Sequence, residues 1–319
     1  MFATLAAARP FFVIAGPCVV ESTTHCLEIA ARLRDIGDRL DIPIVFKASF
    51  DKANRRCVDS HRGPGLEAGL RALRAVREDL GMPVTTDVHE TYQVGPAAAV
   101  CDMLQIPALL CRQTELICAA ARTGRVVNIK KGQFASTDIM LDAARKARLA
   151  ASEVAAGQNT QHTQCSTSAP ASASARSMLA ARACGGGVLL TERGNTFGYD
   201  DLVVDPRNLT RLRHSDGGSS LDEGDYSGAG SGDSTLVVQD LTHAARVRTS
   251  AGAPSGSQTH VLTIGRMAAA VGVHGLFIET HDKPAEALCD SDTVYPLDSL
   301  EPLLQELAVI ALASRALDR

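Results

Sequence analysis

No apolar run in this chain approaches the roughly 20 residues that a bilayer span requires, so no membrane partner is expected. Cys-x-x-Cys pairs are missing as well. The cysteines number nine, an odd count at irregular spacing: Cys18, Cys26, Cys57, Cys101, Cys111, Cys118, Cys165, Cys184 and Cys289. That pattern speaks against a disulfide framework or a zinc-finger cluster. Most of these thiols read as small core hydrophobes, with Cys18 as the exception. Nor is there an excess of positive charge. The net charge is −4 and the cations are gathered locally, which argues against a nucleic-acid partner. Residues 1–10 hold a single Arg and are too short for a targeting signal ahead of mature sequence, so a cytoplasmic location is expected.

What is present is a chain of 319 residues, 45% hydrophobic and 21% charged, enough for a substantial core. Short apolar runs recur at Phe11–Ala15, Pro43–Lys47, Pro83–Asp87, Met103–Pro107, Val126–Lys130, Val188–Glu192, Leu236–Asp240 and Gly275–Glu279. Between them, Glu21–Leu40, Leu66–Leu80, Cys111–Thr123 and Leu262–Val271 read as helices, several closed by a glycine. Eight apolar strands alternating with helices point to a parallel sheet covered on its outside, and eight repeats favour closure into a (β/α)8 TIM barrel. An open doubly wound sheet would need a Gly-x-Gly-x-x-Gly turn after the first strand, where the chain has Gly16-Pro17-Cys18. A single domain over 1–319 is expected. Two low-complexity insertions, 151–176 and 214–234, are too poor in apolar residues to order themselves. Each follows a helix and precedes a strand, which puts it on the N-terminal face, away from the catalytic loops.

Polar residues crowd the C-terminal ends of the strands, where barrel enzymes place their chemistry. Lys47, Lys52, Arg55 and Arg56 fall within ten residues after the second strand, a cluster that anions must fill if it is to pack. Asp87, Lys130, Arg193, Asp240 and Glu279 mark later strand ends. Closure brings strand eight beside strand one, so Cys18, His243 and Glu279 lie on three neighbouring strands, and Asp290 can fold back over them. A thiolate, an imidazole and two carboxylates suit a divalent transition metal. Alone, a Cys is usually core and a His usually structural; together on adjacent strand ends the ligand reading prevails. His281 and Cys289 are read as supporting or structural groups.

Several segments match a known family. Ile14-Ala15-Gly16-Pro17-Cys18 with Glu21-Ser22, Phe46-Lys47-Ala48-Ser49-Phe50-Asp51-Lys52-Ala53-Asn54-Arg55 and Arg62-Gly63-Pro64-Gly65 resemble 3-deoxy-D-manno-octulosonate 8-phosphate synthase. So do Thr86-Asp87-Val88-His89-Glu90, Gln105-Ile106-Pro107-Ala108, Cys111-Arg112-Gln113-Thr114 and Asn128-Ile129-Lys130-Lys131-Gly132-Gln133-Phe134. Thr191-Glu192-Arg193-Gly194, Asp240-Leu241-Thr242-His243 and Phe277-Ile278-Glu279-Thr280-His281 complete the match. The resemblance implies a homotetrameric barrel that condenses phosphoenolpyruvate with arabinose 5-phosphate, feeding cell-wall or lipopolysaccharide polysaccharide synthesis. It implies that Lys47, Lys52, Lys130 and Arg193 hold phosphoenolpyruvate and that Asn54, Arg55 and Asp87 serve the sugar phosphate, Arg55 in a neighbouring subunit's site. Gln113 and Gln133 are expected among the substrate-binding residues, and Lys47, Lys52, Asp87, Lys130 and His243 among the catalytic ones. Cys18 implies the metal-dependent branch, with His243, Glu279 and Asp290 as the other ligands of a zinc, iron or manganese ion.

The chain departs from the family pattern at Arg56 and Cys57, at Arg246, and at Gly256-Ser257-Gln258-Thr259-His260, all near the sugar phosphate or the loop that closes over it. Three rivals are distinguishable. A synthase using erythrose 4-phosphate typically has Lys-Pro-Arg-Thr-Ser after strand two, which is not seen here. A Schiff-base aldolase through Lys130 or Lys47 would give a borohydride-trapped adduct. A sugar-phosphate-binding paralogue would bind without releasing phosphate.

Overall fold

The computed structural model describes residues 1–55, 57–158, 186–198, 201–214, 235–246 and 257–317. Among these, eight parallel strands form a closed ring: β1 Phe12–Gly16, β2 Ile44–Lys47, β3 Val84–Asp87, β4 Met103–Ile106, β5 Val126–Lys130, β6 Val188–Glu192, β7 Leu236–Asp240 and β8 Gly275–His281. Each pairs with its successor, and β8 returns to β1 with Phe12 opposite Gly275 and Gly16 opposite Glu279. This is the (β/α)8 barrel expected from the eight apolar runs. Every residue of the eight strands is buried, because helices cover the outside and side chains fill the inside, so the strands read as unbroken apolar runs rather than alternating ones.

Two cores result. The outer one lies between the strands and the surrounding helices, drawing on Phe11, Val13, Phe46, Leu104, Ile129 and Ile278. The inner one fills the lumen with Phe12, Ile14, Val45, Met103, Leu189, Val238 and Phe277. A helix over Phe2–Ala7 (α1) stops the N-terminal end of that lumen by adding Leu5, with Met1 and Phe2 packed against it. The approach is close: a Cβ on Gly187, just before β6, would sit 2.0 Å from the Phe2 ring.

Helix α2 spans Thr23–Leu40, where Ser22 Oγ accepts the His25 N–H at 3.0 Å. Helix α3 spans Leu66–Leu80 and stops at Gly81, whose φ of +64° suits a residue without a Cβ. Then come α4 Thr91–Val100, α5 Thr114–Arg122 and α6 Thr137–Gln158. Later helices cover Pro206–His214, Leu241–Ala244, Ser257–Val271 and Leu300–Leu317. Residues 151–158, assigned from composition to the first insertion, continue α6, and His214 ends a helix rather than opening the second. The rest of both insertions, with Arg56, Tyr199 and 247–256, lies outside the described residues. Their described ends stand between a helix and the following strand, as expected. Among the described residues no helix is long and apolar enough to cross a membrane.

Candidate active site

Parallel strands of nearly equal length deliver their last residues to one rim. Lys47, Asp87, Lys130, Glu192 and Asp240 close β2, β3, β5, β6 and β7, and Glu279 lies in β8; all are buried. Buried charges must pair, and these do. Lys47 Nζ stands 2.6 Å from Glu279 Oε1 and donates to the Cys18 carbonyl at 3.0 Å. Lys52 Nζ is 3.7 Å from the same Glu279 oxygen. Lys130 Nζ is 2.8 Å from Asp240 Oδ2 and sits 3.8 Å above the centre of the Phe277 ring. Lys131, aimed the other way, pairs with Glu192 at 3.2 Å.

A cavity of about 440 Å³ opens at this rim. Six cations line it: Lys47, Lys52, Arg55, Lys130, Arg193 and Arg246. Three carboxylates face them: Asp87, Glu279 and Asp290. Asn54, Gln133 and His243 also line it, and Gln133 Oε1 accepts from Arg193 at 2.8 Å. The expected site residues line this cavity, except for Gln113 and for Cys18, which is buried beside it against Asp290. Gln113 is exposed ahead of α5 and does not line the cavity. The helix expected from Cys111 begins instead at Thr114, with Gln113 as the residue just before it. Besides Gln133, the cavity is lined by Gln105, at the third position of β4. It donates to Asp87 Oδ1, while Ser49 Oγ donates to Asp87 Oδ2 at 2.8 Å. Arg55 lines the cavity of its own chain and lies 3.5 Å from Asp290.

The electrostatics follow from burial set against these pairs. Burial alone would raise the carboxyls of Asp87 and Glu279, but Lys47 and Lys52 hold both well below the usual carboxylate range. Asp240 is likewise pushed up by burial and held low by His243 and Lys130. For Lys130 burial prevails and its pKa falls, against the pull of Asp240. His243 also falls through burial, despite Asp240 beside it. The Cys18 thiol is driven well up by burial and by Cys289.

The residues also fit a divalent ion. Ligand atoms of His243, Glu279 and Asp290 lie within 4.8 Å of one another, as do those of Cys18, Cys289 and Asp290. The two groups share Asp290, which also accepts from Cys18 Sγ at 3.3 Å. Glu279 Oε2 is buried without a hydrogen-bond partner, 3.9 Å from His243 Nε2. On the far side of that ring, His243 Nδ1 meets Asp240 Oδ2 at 2.8 Å. A carboxylate behind an imidazole fixes the tautomer that leaves Nε2 free as a donor. Cys289, read from sequence as structural, sits with its Sγ 2.9 Å from that of Cys18 and offers a second sulfur.

Sequence reasoning placed Asp240 at a strand end but assigned no site role to Asp240, Gln105 or Ser49. Asp240 was findable as the last residue of β7, three before His243. Gln105 and Ser49 stand in segments that match the family, but their roles depend on Asp87 of a neighbouring strand.

Comparison with known proteins agrees with this geometry. The DAHP synthetase I family model matches residues 6–216. The 2-dehydro-3-deoxyphosphooctonate aldolase of Bordetella pertussis is 44% identical over 303 residues, covering 95% of this chain and 90% of its own length. The 2-dehydro-3-deoxyphosphooctonate aldolase 2 of Arabidopsis thaliana is 39% identical over 317 residues, covering 98% and 91%. That of a Cyanothece species is 41% identical over 306 residues, covering 96% and 93%. A closed barrel, a cation-rich rim cavity and relatives aligned along nearly the whole chain lead to one assignment: the chain belongs to the DAHP synthetase I family and, within it, to the 2-dehydro-3-deoxyphosphooctonate aldolases.

Proposed function

We propose that this protein condenses phosphoenolpyruvate with D-arabinose 5-phosphate and water, giving 3-deoxy-D-manno-octulosonate 8-phosphate and inorganic phosphate. The observation that carries the reading is the charge balance of the cavity, six cations against three carboxylates. That surplus suits three anionic groups held together: the phosphate and carboxylate of phosphoenolpyruvate and the phosphate of the sugar. In the reaction, carbon three of the enol attacks the sugar aldehyde. Carbon two becomes cationic and is captured by water, and the hemiketal so formed loses phosphate.

Lys47, Lys52, Lys130 and Arg193 hold phosphoenolpyruvate, with Arg193 oriented by Gln133 and Lys130 by Asp240 and the Phe277 face. Asn54, Arg55 and Asp87 hold the sugar phosphate. Asp87 stays ionised between Ser49 and Gln105, placed to accept from a sugar hydroxyl. Fixing both substrates at one rim supplies rate through orientation, and the cations stabilise charge that develops as phosphate leaves. Cys18, His243, Glu279 and Asp290 would hold a divalent zinc, iron or manganese ion, which when bound supplies Lewis-acid polarisation of a carbonyl or a water.

A homotetramer in the cytoplasm is part of the same proposal. Leu109, Phe134 and Phe197, on loops after β4, β5 and β6, remain 46%, 54% and 67% exposed beside the rim, apolar surface that a neighbouring subunit would cover. The test of the reaction is phosphate release from phosphoenolpyruvate with arabinose 5-phosphate or erythrose 4-phosphate, with and without a chelator. Turnover with the five-carbon sugar is expected, and no release with it under metal-replete conditions would refute the assignment. Turnover indifferent to thorough chelation would refute only the metal.

A further inference from the structure

Outside the cavity, at the seam between β8 and β1, two imidazoles and two carboxylates form a second cluster. Glu21 follows β1, His25 sits in the first turn of α2, His281 ends β8 and Asp282 follows it. None of the four lines the rim cavity. Ligand atoms of Glu21, His25 and His281 all lie within 4.8 Å of one another. His281 Nε2 is 3.3 Å from Glu21 Oε1, and His25 Nδ1 is 3.8 Å from Glu21 Oε2. An ion bound by nitrogen and oxygen at about 2.0–2.1 Å holds tetrahedral neighbours roughly 3.3–3.4 Å apart, so these atoms already stand near ligand spacing.

The fourth residue gives the cluster an outer layer. Asp282 Oδ1 lies 2.9 Å from His25 Nε2 and 3.1 Å from His281 Nδ1, behind both rings as seen from Glu21. A carboxylate in that position orients a ligating imidazole and raises its basicity. With Nε2–H donated to Asp282, His25 turns the lone pair of Nδ1 toward Glu21. That nitrogen is buried and has no hydrogen-bond partner. An orphaned buried acceptor beside a carboxylate is a cost that a cation between them removes.

We propose that Glu21, His25 and His281 form a divalent-metal site separate from the cavity, with the nitrogen-rich donor set that favours zinc-like ions. Asp282 orients both imidazoles. The ion would tie the β1 loop, the first turn of α2 and the end of β8 together, on the seam that also carries Cys18 and Glu279. The Lys283 N–H points at His281 Nδ1 from 2.9 Å, so without the ion Nε2 carries the proton and donates it to Glu21. Ligation through Nε2 moves the ring proton to Nδ1, where it faces Asp282, and the Lys283 N–H gives up that acceptor.

The test is titration of the metal-stripped, full-length protein with Zn2+, reading stoichiometry by elemental analysis and affinity by calorimetry. His25→Gln is expected to lose one ion per chain while its metal-free melting curve stays that of the wild type. Asp282→Asn is expected to keep the stoichiometry and bind that ion about 10- to 100-fold more weakly. Equal stoichiometry in wild type and His25→Gln overturns the proposal. Should His25→Gln not fold, an unchanged affinity in Asp282→Asn overturns it instead. A cavity that takes no ion shows up differently, as one ion per wild-type chain and none in His25→Gln.

Discussion

Asp240→Asn tests the electrostatic frame of the site most directly. The Asp240 carboxylate is fully buried and serves three partners: Lys130 Nζ at 2.8 Å, His243 Nδ1 at 2.8 Å and the His243 backbone N–H at 2.9 Å. The amide keeps the shape and removes the charge, leaving Lys130 as a buried cation without its close counter-ion. Removing one partner of a buried pair costs about 3–5 kcal/mol. The pH dependence has a fixed sign. The folded-state pKa of Asp240 lies below its unfolded value of about 3.9, so its stabilisation is complete above that pH and is lost as pH falls toward the folded pKa. The loss runs at no more than about 1.4 kcal/mol per pH unit. Asp87 and Glu279 titrate in both proteins and cancel in the difference. Urea denaturation followed by circular dichroism should therefore show a gap between wild type and variant at pH 7 whose Asp240 contribution is lost below about pH 4. Catalysis should fall about 10- to 100-fold, because the His243 ring loses the group that sets its tautomer. A variant as stable as the wild type at pH 7, or a gap that ignores acid, would refute the reasoning.

Two further substitutions probe other parts of the rim. In Gly16→Ala the new Cβ would stand 2.1 Å from the Lys47 carbonyl oxygen, a backbone atom of a residue paired with Thr85 of β3, so the expected cost is about 1–3 kcal/mol with a displaced Lys47 and reduced turnover. Thermal melting checks the first effect and phosphate release the second. In Arg246→Ala the side chain removed is 48% exposed and 3.4 Å from Asp290, so stability should move by less than about 0.5 kcal/mol. Steady-state kinetics should show the KM for the sugar phosphate rising about tenfold with that for phosphoenolpyruvate unmoved, the loss of one charge-assisted contact.

The barrel was legible because its strands are buried on both faces. Val126–Lys130, Val188–Glu192 and Leu236–Asp240 appear at the boundaries that their apolar runs suggest. The differences have local causes. β2 begins at Ile44 rather than Pro43, since proline has no N–H to give the ladder, although its carbonyl still accepts from Val13. β8 runs on through His281 because Thr280 and His281 pair with Tyr295 and Pro296, a contact between segments distant in sequence. Helix α4 went unread: Pro96 lies inside it and its alanines give weak periodicity. At the site, strand-end residues such as Lys47, Asp87 and Glu279 were readable because closure sends them to one place. Distances such as that between Cys18 and Cys289 were not, since they depend on how a loop returns over the rim.

The ring closure has a consequence for synthesis. Cys18 and Asp290 touch across 272 positions of chain, and the strand that leads to Cys18 and the strand that carries Glu279 are the first and last of the barrel. A nascent chain leaving the ribosome can therefore make most of its staves and still own no reaction centre. Catalytic competence arrives when the final strand docks against the first, so a translation product lacking that strand would also lack Glu279 and Asp290.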